Sequence, residues 1–172
     1  MKIRFIAFAT ILSILFIVLF RLFKPVFIFV LLISIAILSR AYNHIIQIYQ
    51  LGLEYYSGST ILTALLLGPY AGMIMGVASQ FLAYLFSGKI KYYNYIGSAY
   101  WGIIGFVFAY LKHINISYLH IASVILFEVA TTPLFIMSGA RITSSSFHFI
   151  THIGLTLFLA NTLTPALYFI LR

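Results

Sequence analysis

The chain is built from long runs of apolar side chains with almost no charge inside them. Residues 5–20 (FIAFATILSILFIVLF), 26–39, 70–87, 96–111, 118–138 and 147–171 are apolar nearly all round, and 58–67 (GSTILTALLL) is a shorter run of the same kind. A helix needs about 20 apolar residues to cross a bilayer, and within lipid every backbone N–H and C=O must be satisfied internally. Transmembrane barrel strands alternate in polarity, and these runs do not. The expected fold is all-α: a polytopic transmembrane bundle of six helices, or seven if residues 5–20 also cross. Residues 1–172 are read as a single integral membrane domain, with 26–171 as its main bundle.

Charge supports this reading. Glu54 and Glu128 are the only acidic residues, against ten Lys and Arg, and charged residues make up 7% of the chain. Soluble domains carry about 25%, so neither a water-facing globular surface nor a disordered chain fits. The basic residues are scattered between apolar blocks, which is not the footprint of a nucleic-acid binder. Cysteine is absent, which removes disulfides and thiolate metal sites. A multi-pass protein of the cell membrane is expected. Its orientation is open, because alternate sides carry six and four Lys/Arg residues whether or not the first block crosses.

The joints between the blocks have their own chemistry. Residues 5–20 look like a signal-peptide core, but Arg21 and Lys24-Pro25 follow instead of a small-residue cleavage site. A tight hairpin with 26–39 is expected. Arg40 to Tyr56 (RAYNHIIQIYQLGLEYY) reads as a helix end and a Tyr-rich interfacial loop. Gly68-Pro69 breaks the short block from the next helix. Residues 88–95 (GKIKYYNY), 112–117 and 139–146 (GARITSSS) read as loops or turns, and 147–171 as one last span.

Small residues recur at helical spacing: Gly72-x-x-x-Gly76 with Ser79, then Ala99, Gly102, Gly105 and Ala109. Such faces let helices approach closely in lipid, so the expectation is packing between helices. Docking onto another membrane subunit is the alternative.

Polar groups inside the blocks are the functional candidates, since an intramembrane ionisable residue is costly. Glu128 lies within 118–138, with Thr131 and Thr132 one turn on. It suits a ligand ammonium or ring N–H; the alternative is a buried structural carboxyl. His148 and His152, four apart, share one helical face. They suit a ligand pocket, a wet interface or, with further ligands such as Glu128, a metal. Asn161 sits in the last block, one turn before Pro165, and needs partners there. Gln80 and Tyr84 lie one turn apart. Tyr100 and Trp101 follow the aromatic loop and offer stacking walls for a planar ring, or else an interfacial belt. No nucleophile–base pair, phosphate-cradling loop or zinc signature is present. The expectation is therefore no enzyme, no cofactor and no metal.

The stretch Gly58–Gly88 (GSTILTALLLGPYAGMIMGVASQFLAYLFSG) resembles the substrate-binding S components of energy-coupling factor (ECF) transporters. The likeness lies in the short helix, Leu67-Gly68-Pro69, Ala71-Gly72 with Gly76, and Gly88 before an aromatic loop. The glycine-rich helix that follows is also similar. The resemblance implies a six-helix bundle that binds a vitamin-like micronutrient with high affinity for uptake. It also implies a transmembrane coupling subunit and cytoplasmic ATPases as partners. By that analogy the 40–57, 88–95 and 139–146 loops cover the pocket, with Glu54, Asn94 and Arg141 at its rim and Glu128, His148, His152 and Asn161 inside. The family's Ala-x-x-x-Ala docking motif is matched here only by Ala9-x-x-x-Ser13. Two rival readings are a structural membrane scaffold of the cell-shape type and an intramembrane metal-dependent enzyme on the His148/His152 face.

Overall fold

The computed structural model describes Val18 and residues 21–40, 54–86 and 93–172. The described residues are helical, with no strand among them. Seven helices follow one another: α1 Arg21–Arg40, α2 Tyr56–Leu67, α3 Pro69–Phe86, α4 Tyr93–Phe108, α5 Ile116–Met137, α6 Ile142–Asn161 and α7 Leu163–Leu171. Four of them, α1, α3, α5 and α6, are long and apolar enough to cross a membrane. Their outward faces carry large apolar side chains such as Phe23, Val30, Ile74, Val129, Ile150 and Phe158. A surface of that kind suits lipid and would be a liability in water. The described residues are thus all-helical, with four candidate spans of a kind compatible with a membrane protein. Apart from Val18, residues 5–20 lie outside the described residues, as does the Ala9-x-x-x-Ser13 motif.

The short helix α2 is the pillar of the bundle. Ten of its 12 residues are buried. At 1.5 Å per residue it is about 18 Å long, too short to cross. Its small hydroxyl residues explain how it sits inside. Ser59 donates to the Leu32 carbonyl of α1 at 2.9 Å, and Thr60 donates to Tyr56 O in its own helix at 2.7 Å. Ser57 meets His120 Nε2 of α5 at 2.9 Å, and His120 Nδ1 meets Thr164 of α7 at 2.9 Å. Tyr55, just before α2, reaches the same Thr164 at 2.9 Å. These bonds tie four helices together and satisfy the hydroxyls that make them, whereas Thr63 Oγ1 of the same helix is buried without a hydrogen-bond partner among the described residues.

Gly68 ends α2 with a φ of 101°, a left-handed conformation that favours glycine. Pro69 then opens α3, where its missing N–H costs nothing. The expected small faces of α3 and α4 pack on each other within the chain. A Cβ on Gly76 would lie 2.2 Å from Trp101 O, and one on Gly105 would lie 2.2 Å from Gly72 O. The two backbones therefore touch at these points.

Several boundaries differ from the sequence reading. α4 begins at Tyr93 rather than 96, and residues 142–146, read as part of a polar loop, form the first turn of α6. α5 begins at Ile116 rather than 118 and carries Pro133 inside it. The last block, read as one span, is two helices divided at Thr162, whose φ is −120° and ψ −77°. Pro165 has no N–H to give the carbonyl four residues back. Asn161 and Thr162 turn their side chains onto Leu157 O and Phe158 O at 2.7 and 2.8 Å, a local alternative to continuing the helix.

Candidate functional site

The acidic and histidine side chains of α5 and α6 meet. Glu128 Oε1 lies 2.5 Å from His152 Nδ1 and 3.6 Å from His148 Nε2. Thr132, one turn along α5, donates to Glu128 Oε2 at 2.8 Å. The carboxylate is thereby oriented with one oxygen on the threonine and the other on the histidines. Side-chain exposure grades outward, from 0% at His152 and 1% at Glu128 to 27% at His148. The i, i+4 spacing on α6 sets the two imidazoles one turn apart, ring centroids 5.3 Å from each other.

An aromatic wall stands behind this cluster. Phe127 stacks on Trp101 at 5.0 Å, and Tyr56 meets Trp101 edge-on at 5.4 Å. Both Phe127 and Tyr56 also contact the His152 ring, at 6.3 and 6.1 Å. Tyr100 packs against Phe127 at 5.5 Å. Tyr100 and Trp101, read as lying just beyond a loop, are in mid-helix on α4. Trp101 is fully buried.

Within this region several buried polar atoms have no hydrogen-bond partner among the described residues. They are His152 Nε2, Trp101 Nε1 and both amide atoms of Gln80. Gln80 lies against Gly97, one turn before Trp101 on α4, where a Cβ would fall 2.7 Å from its Nε2. Buried polar groups are nearly always bonded, and each exception calls for a reason.

The second carboxylate overturns its sequence reading. Glu54, read as a rim residue in water, is 2% exposed and forms an ion pair with Arg40 at the end of α1. The Arg40 guanidinium also lies over the Tyr84 ring, 3.8 Å from its centroid. Glu54 lies between α1 and α2, outside the four candidate spans. Burial alone would raise its pKa, but the adjacent Arg40 holds it below the usual carboxylate range. Sequence reasoning misses this pair because Arg40 reads as a helix end and Glu54 as a rim residue of the interfacial loop that follows. The available signal was charge scarcity: one of only two acids stood 14 positions from a cation at a helix end.

The remaining candidates scatter. Asn161 is exposed at the end of α6 and bonded to its own helix, so it does not enter the cluster. It was expected deep in a span, but the helix break brings it to an end. Asn94, expected at a rim, is 3% exposed in the first turn of α4. Arg141 is exposed at the N-terminus of α6, two turns from His148. Most of the 40–57 and 88–95 loops lie outside the described residues.

No known protein family matches the chain, and neither curated proteins nor solved structures include a significant match.

Proposed function

We propose that the protein is a membrane-embedded binding subunit for uptake of a small, vitamin-like molecule. One observation carries this reading: the buried, unpartnered polar atoms of Gln80, Trp101 and His152 beside an aromatic wall and a buried carboxylate. Leaving such groups unpaired costs free energy, about 1–3 kcal/mol each. A purely structural scaffold gains nothing from that cost. A binding protein recovers it when a ligand supplies the partners. Trp101, Phe127, Tyr56 and Tyr100 would flank a planar ring, while His152 and Glu128 offer acceptors or a proton-sharing pair to ring N–H or ammonium groups. His148, the most exposed member, would lie on the entry side.

Coupling to a partner transmembrane subunit and cytoplasmic ATPases rests on the resemblance of residues 58–88 to ECF S components. On this reading the chain itself hydrolyses nothing.

The chain contains a single tryptophan, and it stands in the aromatic wall. Its fluorescence is therefore a direct reporter. Titrating the detergent-purified protein with a panel of vitamins and their precursors should give a saturable change with one of them, at submicromolar affinity. A flat response across the panel, with the helical signal intact, would sink the proposal.

A further inference from the structure

We infer that Glu128, His148 and His152 form a binding site for one divalent transition-metal ion of the zinc type. The inference goes beyond uptake of an organic ligand and stands on the cluster alone. Each residue offers one ligand atom, and the three atoms lie within 4.8 Å of one another. Their identity selects the metal class. Two imidazole nitrogens and one carboxylate oxygen suit zinc and its borderline neighbours, whereas calcium and magnesium prefer all-oxygen shells.

The geometry is close to what a metal requires. With metal–ligand bonds of about 2.0–2.2 Å, ligand atoms on a tetrahedral ion stand roughly 3.3–3.5 Å apart. The 3.6 Å between Glu128 Oε1 and His148 Nε2 already fits. The 2.5 Å between Glu128 Oε1 and His152 Nδ1 is that of a shared proton and must open by somewhat under 1 Å. A small rotation of either side chain does that. Proton and metal are therefore alternative occupants of one site, as expected where ligands must lose protons to bind metal.

Two further features support the assignment. Thr132 bonds the far carboxylate oxygen at 2.8 Å and so holds Oε1 toward the histidines, the outer-shell arrangement that tunes metal sites. Charge also points the same way. Arg40 is committed to Glu54, and among the described residues the ion-pair partners of Glu128 are these two histidines. A divalent ion would supply the fixed positive charge that Glu128 lacks. Access exists through partly exposed His148. Three protein ligands leave a fourth position open, which is the pattern of an exchangeable rather than a closed structural site.

The test uses the full-length protein in detergent, with any affinity tag removed and the sample stripped with chelator. Cobalt(II) titration should produce visible absorption bands typical of low coordination number, saturating at one ion per chain. Elemental analysis after zinc reloading should give the same stoichiometry. His148→Ala, the mildest change because that side chain is partly exposed, should weaken binding more than tenfold and alter the cobalt spectrum. Glu128→Gln and His152→Ala should abolish it. Thr132→Val, acting through Glu128, should weaken binding about 10–100-fold while keeping the stoichiometry. His113→Ala, an exposed histidine in the α4–α5 turn, should change nothing. Less than a tenth of an ion per folded chain would overturn the inference. So would a folded His148→Ala protein with unchanged affinity and spectrum. No organic ligand is present, so this result is independent of the Trp101 fluorescence panel, and either proposal can fail while the other stands.

Discussion

The two carboxylates of this chain are both buried, yet they are neutralised in different ways. Glu54 has a permanent cation, Arg40, which also stacks on Tyr84. Glu128 has two imidazoles, which are cations only when protonated, and a threonine hydroxyl. A guanidinium keeps its charge at any accessible pH. The Arg40–Glu54 pair is thus a fixed clasp between the end of α1 and the start of α2. The Glu128 cluster can exchange its neutralising partner, whether proton, metal or ligand cation. A chain with so few charges has one acid that fastens the fold and one that remains chemically available.

The largest expected effect breaks the clasp. Arg40→Met leaves Glu54 buried without its cation and should cost about 3–5 kcal/mol, read as a large fall in thermal stability in detergent. The double change Arg40→Met with Glu54→Leu should recover most of that loss, because removing both charges of a buried pair is often neutral or stabilising. If the double variant is as damaged as the single one, the pair is not the clasp described here. Glu128→Gln should be milder, about 1.5–3 kcal/mol, because it leaves no fixed cation such as a guanidinium buried without its partner. A Glu128→Gln protein less stable than Arg40→Met would invert the comparison. Thr132→Val should cost only about 1 kcal/mol in stability while changing the pH dependence of metal or ligand binding.

The smallest effect is that of moderate acid on Glu54. Its folded-state pKa is depressed, so its contribution is fully present above the unfolded-state value of about 4.3. Stability should hold from pH 7 to near pH 5, then decline below about pH 4.3 and be lost only once the folded-state pKa is passed. In Arg40→Met the lowered pKa is gone, so acid should cease to destabilise through Glu54. Thermal melts across pH 3–7 for the two proteins measure the difference.

Much of the architecture was legible in the residues. The apolar runs marked α1, α3, α5 and the existence of α6 to within a few positions, because lipid imposes an all-helical solution on such runs. Gly68-Pro69 correctly marked the α2–α3 joint. The Gly72/Gly76 and Gly102/Gly105 faces were legible as packing surfaces, though their mutual contact was not. The His148/His152 pairing followed from helical spacing alone. The first turn of α6 was missed because Thr143 to Ser146 reads as a polar loop. The break at Thr162 was missed because the apolar pattern continues across it.

Local pattern therefore determined that the described residues are helical, that four of the helices are long and apolar enough to cross a membrane, and that Glu128, His148 and His152 lie on two of these. Tertiary structure alone decided that these three meet, that Arg40 is taken by Glu54 rather than by Glu128, and that Asn161 stands apart. The physical reason is that hydrophobic periodicity is a property of neighbouring residues, whereas the partner of a buried charge is set by which helix packs beside it.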